Sequence, residues 1–275
     1  MNVATPKYDV QDVNFRTMIQ TVALSTTSFF SYTPTQDQIR AAVAKKLNRT
    51  LKSLPKDADA KTDPELYKAF QDAKDELIAE EKKLPYTKRK VEGDASETGL
   101  VKFIQPLLAG GPNGCYDLGG LEGVRDTYPI VPDIVGDPSM IPFSSDIKFN
   151  LIIRDMNPAV KNPTTKEDNM CVFMKGAPER VLGRCTKILV NGKEEELDEV
   201  AMFGVQSAND RFGGMGERVL AFARTQLDPT IFKKDPAYPF DVKKWKTWKE
   251  VREFDSAISG WFPMWNLTLV GIVSL

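Results

Sequence analysis

The stretch that decides the fold reads Met-Cys-Val-Phe-Met-Lys-Gly-Ala-Pro-Glu-Arg, from Met170 to Arg180. It begins as an apolar, sulfur-bearing run of strand length with no turn residue inside it. Gly176 then permits backbone angles that are closed to other residues, and Pro178 has its φ preset for a first helical turn. The pattern predicts a buried strand that changes abruptly into a helix, with Lys175 at the strand end. A lysine there either extends to solvent or lies where backbone can approach a ligand, and spacing alone leaves both open.

Length, charge and composition limit the class of protein. The 275 residues suffice for one large domain with a substantial core. A net charge of −1, from 37 basic and 38 acidic residues, argues against a nucleic-acid partner. The absence of histidine excludes Ser-His and Cys-His nucleophiles and histidine metal sites. We expect the three cysteines, odd in number and widely spaced, to be free thiols. No apolar run approaches the roughly 20 residues that cross a bilayer, and no secretory signal is recognisable at the N-terminus.

Three amphipathic helices are predicted in the first third of the chain. Asp12 can cap the first, Thr35 and Gln38 form a capping box for the second, and Asp63-Pro64 opens the third. The apolar residues expected on their inner faces are Phe15, Ile19, Val22, Ile39, Val43, Leu47, Leu51, Leu66, Phe70, Ala73 and Leu77. We interpret the second and third helices as an inserted hairpin, about 33–84, with a solvated charged face.

Strands dominate the rest of the chain. Residues 148–154 alternate in polarity and are joined by a polar loop to the Lys175 strand, which predicts an antiparallel hairpin. Asn191-Gly192 is a strong two-residue hairpin signal, and 198–212 reads as a helix that Gly213-Gly214 ends. Further strands are expected at 218–224 and 267–275, separated by a Trp-, Lys- and Pro-rich excursion, about 228–265, whose tryptophans would cover a core edge. The predicted fold class is α+β, with a twisted antiparallel β-sheet flanked by helices.

Four segments, in this order, resemble signatures of the nucleotide-binding (N) domain of P-type cation-transporting ATPases. They are Gly-Asp-Ala-Ser-Glu-Thr at 93–98, Ile-Pro-Phe-Ser-Ser at 141–145 with Lys148 behind it, Lys-Gly-Ala-Pro-Glu-Arg at 175–180, and Gly-Glu-Arg-Val-Leu-Ala-Phe at 216–222. One such motif is weak, whereas four in order across about 130 residues are specific. The sequence is most similar to the sodium/potassium-type (type II) alpha subunit. The resemblance implies a single nucleotide-binding domain over residues 1–275.

The resemblance also implies the residues of an ATP site: Glu97, Phe143, Lys148, Asn150, Lys175, Gly176 and Arg218. By this likeness the Phe143 ring stacks on adenine, Glu97 meets the amino edge of the base, and Gly176 lets the base approach. Lys148 and Lys175 flank the nucleotide, and Arg218 reaches the phosphates. Asn150 stands where sodium/potassium-type proteins usually carry glutamine. Read singly, Phe143 could be ordinary core, Glu97 only a helix cap after Asp94, and Arg218 a surface ion-pair partner.

The family's catalytic Asp-Lys-Thr-Gly-Thr motif, its Asp-Pro-Pro hinge and its Gly-Asp-Gly metal-binding loop do not occur in this sequence. We therefore expect an excised N domain with no catalytic residue and no metal site, a monomer that binds ATP or ADP without hydrolysing it. In the intact pump it would present Mg-ATP to an aspartate of a separate P domain, with the P and A domains of the same polypeptide as partners. The parent would be an ATP-driven cation translocase, and this chain its cytosolic domain at the plasma membrane.

Two alternatives remain open from the sequence. The chain could be a binding or scaffold domain that keeps the fold without nucleotide and uses the inserted helices or the excursion as a partner surface. It could also derive from a calcium-type pump of an internal membrane, because transmembrane residues, which this chain lacks, set the choice of ion.

Overall fold

The computed structural model describes residues 8–59, 61–110, 114–156, 169–229, 231–232, 241–248 and 262–275. The chain divides into two compact units: the first comprises Met1–Thr27 and Ala95–Leu275, and the second comprises Ser28–Asp94. The second unit contains the whole predicted insertion. The interpretation of 1–275 as one nucleotide-binding domain stays a prediction.

Helices and strands alternate irregularly along the chain. The helices are α1 (Val13–Ser25), α2 (Gln36–Lys46), α3 (Pro64–Lys83), α4 (Ala95–Leu108), α5 (Gly120–Thr127), α6 (Pro178–Leu182), α7 (Glu199–Gly214) and α8 (Trp245–Trp248). The strands are β1 (Phe29–Phe30), β2 (Val91–Glu92), β3 (Met140–Ile141), β4 (Phe149–Asp155), β5 (Met170–Gly176), β6 (Cys185–Val190), β7 (Lys193–Glu196), β8 (Val219–Gln226) and β9 (Leu267–Ser274). Among the described residues, no helix combines the length and the apolar character needed to cross a bilayer.

The first unit is built on a seven-stranded sheet in the order β3-β4-β5-β8-β9-β6-β7. The predicted β4–β5 hairpin is confirmed, with Asn150 opposite Lys175, and so is the β6–β7 hairpin. Asn191 and Gly192 both take positive φ, 50° and 77°, as a turn between two tightly paired strands requires. The α+β fold class is therefore confirmed. One pair differs from the antiparallel expectation, because β6 and β9 run parallel, with β7, α7, β8 and α8 between them in the chain.

The two faces of this sheet are covered differently. Side chains alternate along β4, so Phe149, Leu151 and Ile153 enter the main apolar core, together with the inward residues of β5, β8 and β9. The opposite face carries Asn150 and Arg154 and packs against α1, which contacts β4, β5, β8 and β9. That opposite face also carries Lys175, which lies opposite Asn150 in the register.

Helix starts follow the predicted caps. The Asp12 carboxylate accepts a hydrogen bond from the Phe15 amide at 2.7 Å at the start of α1, as predicted. Asp198, predicted as the first residue of its helix, precedes α7 and is its N-cap. Gly213 and Gly214 are the last residues of α7 rather than its stop signal, and Met215 follows as the C-cap. Trp245 and Trp265 pack against the main core, which confirms for these two that the excursion covers a core edge. The side chain of Trp248 and all of Trp261 lie outside the described residues.

The second unit is a helical hairpin with its own small core. Its capping box is present at Thr35 and Gln38, and Asp63 caps α3. The core contains Ile39, Val43, Ala44, Leu54, Phe70 and Ala73. The prediction for Leu47 and Leu51 is wrong: both are exposed, because α2 ends at Lys46 and Asn48 turns the chain with a φ of 50°.

All three cysteines are free, as expected. Burial raises the pKa of the Cys171 and Cys185 thiols to about 12, so both remain protonated and unreactive near neutral pH.

Candidate functional site

A buried ion pair lies at the centre of the predicted site. Glu97, in the first turn of α4, is 3% exposed, and Lys175, at the end of β5, is 6% exposed. The Lys175 ammonium donates a hydrogen bond to Glu97 Oε1. The other carboxylate oxygen, Oε2, accepts from the amide of Thr27 at 2.9 Å and from its hydroxyl at 3.3 Å. The pair neutralises two charges that would be very unfavourable if either were buried alone.

Asn150 lies beside this pair, on the neighbouring strand. It is directly opposite Lys175 in the β4–β5 register and is 2% exposed. Its Nδ2 group donates to the carbonyl of Ser25 at 2.6 Å, whereas Oδ1 has no hydrogen-bond partner among the described residues. An unpaired buried acceptor costs about 1–3 kcal/mol, so this oxygen suits a donor from a ligand or an ordered water.

Two arginines lie in the same region, Arg154 buried and Arg125 partly buried, and the sequence motifs indicate neither. Arg154 Nε donates to the Leu24 carbonyl at 2.8 Å and Nη1 to the Tyr128 carbonyl at 2.7 Å, while Arg125 Nη2 donates to the Thr26 carbonyl at 2.6 Å. The bonds to Leu24 and Thr26 satisfy carbonyls at the C-terminus of α1, where the helix dipole also favours cations, and the bond to Tyr128 satisfies the C-cap of α5. Burial lowers the pKa of Arg154 to about 9 and that of Arg125 to about 10. The sequence signal for Arg154 is a charged residue on the face of β4 that also carries Asn150.

We expect replacement of Arg154 by lysine to lower the free energy of unfolding by about 1–3 kcal/mol, because one ammonium cannot reach both carbonyls and leaves one unpaired. Chemical denaturation measures the change. The matched control is Arg211→Lys on the exposed side of α7, where we expect a change within about 0.5 kcal/mol. Equal stability of Arg154→Lys and wild type would contradict this role.

Gly176 brings the end of β5 very close to the start of β4. It pairs with Phe149, and a β-carbon at this position would lie 2.6 Å from Phe149 Cβ and closer still to the Lys148 carbonyl oxygen. The Ala177 amide donates to that same carbonyl at 2.9 Å. Only glycine therefore fits this approach, which places Lys148 next to the strand end that carries Lys175.

The remaining predicted residues are exposed. Phe143 follows β3 and is 59% exposed, which excludes the alternative that it is ordinary core. Lys148 is half exposed, lies 3.9 Å from Glu179 in an ion pair, and has a φ of 58°. A left-handed conformation costs a lysine roughly 1–2 kcal/mol, and such strain concentrates at functional sites. Arg218 donates to the Ser96 hydroxyl at 2.6 Å, beside Glu97, rather than to a carboxylate.

The structure thus brings Glu97, Asn150, Lys175 and Gly176 together, with Arg218 held beside Glu97 and Lys148 beside Gly176. Phe143 lies on the loop that leads to Lys148, whose amide donates to the Ser144 carbonyl at 2.8 Å. A cleft of about 320 Å³ is lined by Ser144, Asp146, Ile147, Phe149, Arg180, Arg184, Trp245 and Lys246, and none of the predicted residues is in its lining. In the part of the chain that the structure describes, no group of three or more acidic or cysteine side chains is placed to hold a metal ion.

Comparisons with known proteins agree with the sequence motifs. The profile of the family described as "P-type ATPase, cytoplasmic domain N" matches residues 71–275. The sodium/potassium-transporting ATPase subunit alpha-1 of Anguilla anguilla is 34% identical over 199 residues, which cover 72% of this chain and 16% of that protein. The chain therefore spans less than a fifth of the length of this relative. The family match begins inside α3, so the first part of the second unit precedes it.

Proposed function

The chain belongs to the family of P-type ATPase cytoplasmic N domains, and from this membership we propose that it binds ATP at the site described above. The residues proposed to form the nucleotide site are Glu97, Phe143, Lys148, Asn150, Lys175, Gly176 and Arg218. The observation that carries the proposal is the buried ion pair between Lys175 and Glu97. It lies at the end of β5, next to Gly176, a position where only glycine fits.

Among the residues proposed to bind ATP, the charges favour the base beside Lys175 and Glu97 and the phosphates beside Lys148 and Arg218. Lys175 and Glu97 cancel each other, so this pair adds no net charge beside adenine. Lys148 and Arg218 are more exposed and meet the triphosphate, Arg218 with its fork of donors. The exposed Phe143 ring offers a flat apolar face, and stacking of a base on it contributes about 1–3 kcal/mol.

We further propose that this chain holds ATP for a reaction completed elsewhere. The γ-phosphate passes to an aspartate of a P domain outside this sequence, in an ATP-driven cation pump that forms an aspartyl-phosphate. The P and A domains of the same polypeptide are the partners, and magnesium accompanies ATP without a ligand from this chain. The 34% identity to a sodium/potassium-transporting alpha-1 subunit favours that type of pump, at the plasma membrane, over a calcium-type pump.

Titration of ATP into the isotopically labelled protein tests the site. We expect weak binding, with a Kd on the order of 0.1–10 mM, and shifts of the Phe143 and Lys175 signals. Phe143→Ala should weaken binding by about 1–3 kcal/mol because the stacking surface is lost. Phe203→Ala, on an exposed ring of α7, is the matched control and should leave affinity unchanged.

Signals of Phe143 and Lys175 that stay still at about 20 mM ATP would overturn the proposed pocket, since even a millimolar Kd gives near saturation there. The scaffold alternative would then be favoured. We also expect no ATP hydrolysis by this chain alone. Hydrolysis by the purified protein would contradict the proposal that the phosphorylated aspartate lies outside this sequence.

A further inference from the structure

The two oxygens of the Glu97 carboxylate accept hydrogen bonds from different residues, Lys175 and Thr27. Of these two, only Lys175 belongs to the proposed site. Lys175 binds Oε1, whereas Thr27 donates to Oε2 through its amide at 2.9 Å and its hydroxyl at 3.3 Å. Hydrogen bonds to a buried charged group are worth more than those between neutral groups. Thr27 therefore fixes the orientation of the carboxylate and, through it, the position of the Lys175 ammonium.

The chain before Thr27 is anchored at each of three consecutive residues. The carbonyls of Leu24, Ser25 and Thr26 accept hydrogen bonds from Arg154, Asn150 and Arg125, at 2.8, 2.6 and 2.6 Å. The Arg154 and Asn150 side chains are themselves buried. All three carbonyls on this side of Thr27 are therefore paired with side chains of the first unit.

The residues that follow Thr27 form the neck of the second unit, which we define as Ser28–Phe30 paired with Val91–Gly93. Phe29 pairs with Glu92 and Phe30 with Val91. Gly93 has a φ of 132°, and a β-carbon there would lie 2.7 Å from Ser28 Cβ and closer still to its hydroxyl oxygen. The two strands of the neck thus approach each other as closely as a glycine allows.

Both strands of the neck continue directly into the site. Thr27 precedes Ser28, and Glu97 lies in the first turn of α4, which begins two residues after Gly93. Thr27 and Glu97 are separated by 70 positions, yet their atoms lie 2.9 Å apart. The distance between Thr27 and Glu97 therefore depends on the backbone that leads to each of them from the paired strands of the neck.

We propose that Thr27 is a positioning residue of the nucleotide site, and that the pairing of the adjoining neck strands determines where Thr27 lies. This inference rests on the proposed function.

Thr27→Val and Thr27→Ser variants test the inference, with Thr33→Val as an exposed control in the second unit. Thr27→Val should weaken ATP binding about three- to tenfold because a hydrogen bond to the buried carboxylate is lost. It should also shift the side-chain resonances of Glu97 and Lys175 in the nucleotide-free protein. Thr27→Ser should restore both, and Thr33→Val should change neither. Thermal unfolding of each variant verifies that it is folded.

Gly93→Ala tests the neck itself, since the added methyl group forces its two strands apart. It should weaken ATP binding at least as much as Thr27→Val and shift the same two resonances. Wild-type affinity and unshifted resonances in Thr27→Val would overturn the inference, and so would a Thr27→Ser variant as weak as Thr27→Val. If the wild-type protein binds no ATP, the proposed function fails, and the resonances of the free variants then decide the role of Thr27 by themselves.

Discussion

Replacing Lys175 by methionine is expected to abolish detectable ATP binding and to lower the free energy of unfolding by about 3–5 kcal/mol. Methionine keeps the aliphatic length of the side chain but leaves the Glu97 carboxylate buried without its cation. Breaking a buried pair from one side is far more costly than removing both partners. Chemical denaturation and ATP titration of the same preparation measure the two effects separately.

A double variant separates the charge effect from the loss of contacts. Glu97→Gln combined with Lys175→Met removes both charges, so most of the stability should return while ATP binding stays absent. Lys83→Met, which breaks an exposed ion pair with Glu80, is the matched surface control and should change stability by less than about 1 kcal/mol. Wild-type stability of the single Lys175→Met variant would show that Glu97 does not depend on this cation.

Replacing Gly176 by alanine is expected to lower the free energy of unfolding by about 1–3 kcal/mol and to weaken ATP binding. The new methyl group would overlap backbone atoms at the start of β4, which cannot rotate away as a flexible side chain would. The β4–β5 pairing must therefore open next to Lys148 and Lys175. Denaturation midpoints and ATP titration measure the result.

For Gly204→Ala we expect the opposite effect, an increase in the free energy of unfolding. Gly204 lies inside α7 with no atom within 4 Å of an added β-carbon, so alanine should raise stability by up to about 1 kcal/mol. If Gly176→Ala proved as well tolerated as Gly204→Ala, the close approach of β4 and β5 would not be a constraint on the site.

Local signals explain why so much of the secondary structure was predictable. Asp12, Thr35, Asp63 and Asp198 each bond to a backbone amide three residues later, so the sequence contains both partners of every cap. Asn191-Gly192 likewise determines its hairpin by its own backbone preferences. The apolar stripe of α2 continues in the sequence beyond the end of the helix, because the positive φ of a single residue, Asn48, turns the chain after Lys46.

Contacts between distant segments account for what the sequence did not predict. Asn150 and Arg154 bond to carbonyls 125 and 130 positions away, and no periodicity connects them. The parallel β6–β9 pair likewise depends on where β8 enters the sheet. The motifs indicate which residues belong to the predicted site. Their hydrogen-bond partners, such as Thr27 for Glu97 and Ser96 for Arg218, are visible only in the structure.

The residues of the site are far apart in the sequence, and this distance along the chain affects the order in which parts of the protein fold. The hairpin of the second unit closes over neighbouring residues, whereas Glu97 must meet Thr27 across 70 positions and Lys175 across 78. Long-range contacts of this kind form late, after the entropy of closing large loops has been overcome. A partly folded chain would therefore contain the hairpin but no ligand site. The proposed nucleotide would then bind only to fully folded molecules, and this binding would stabilise the native state by mass action.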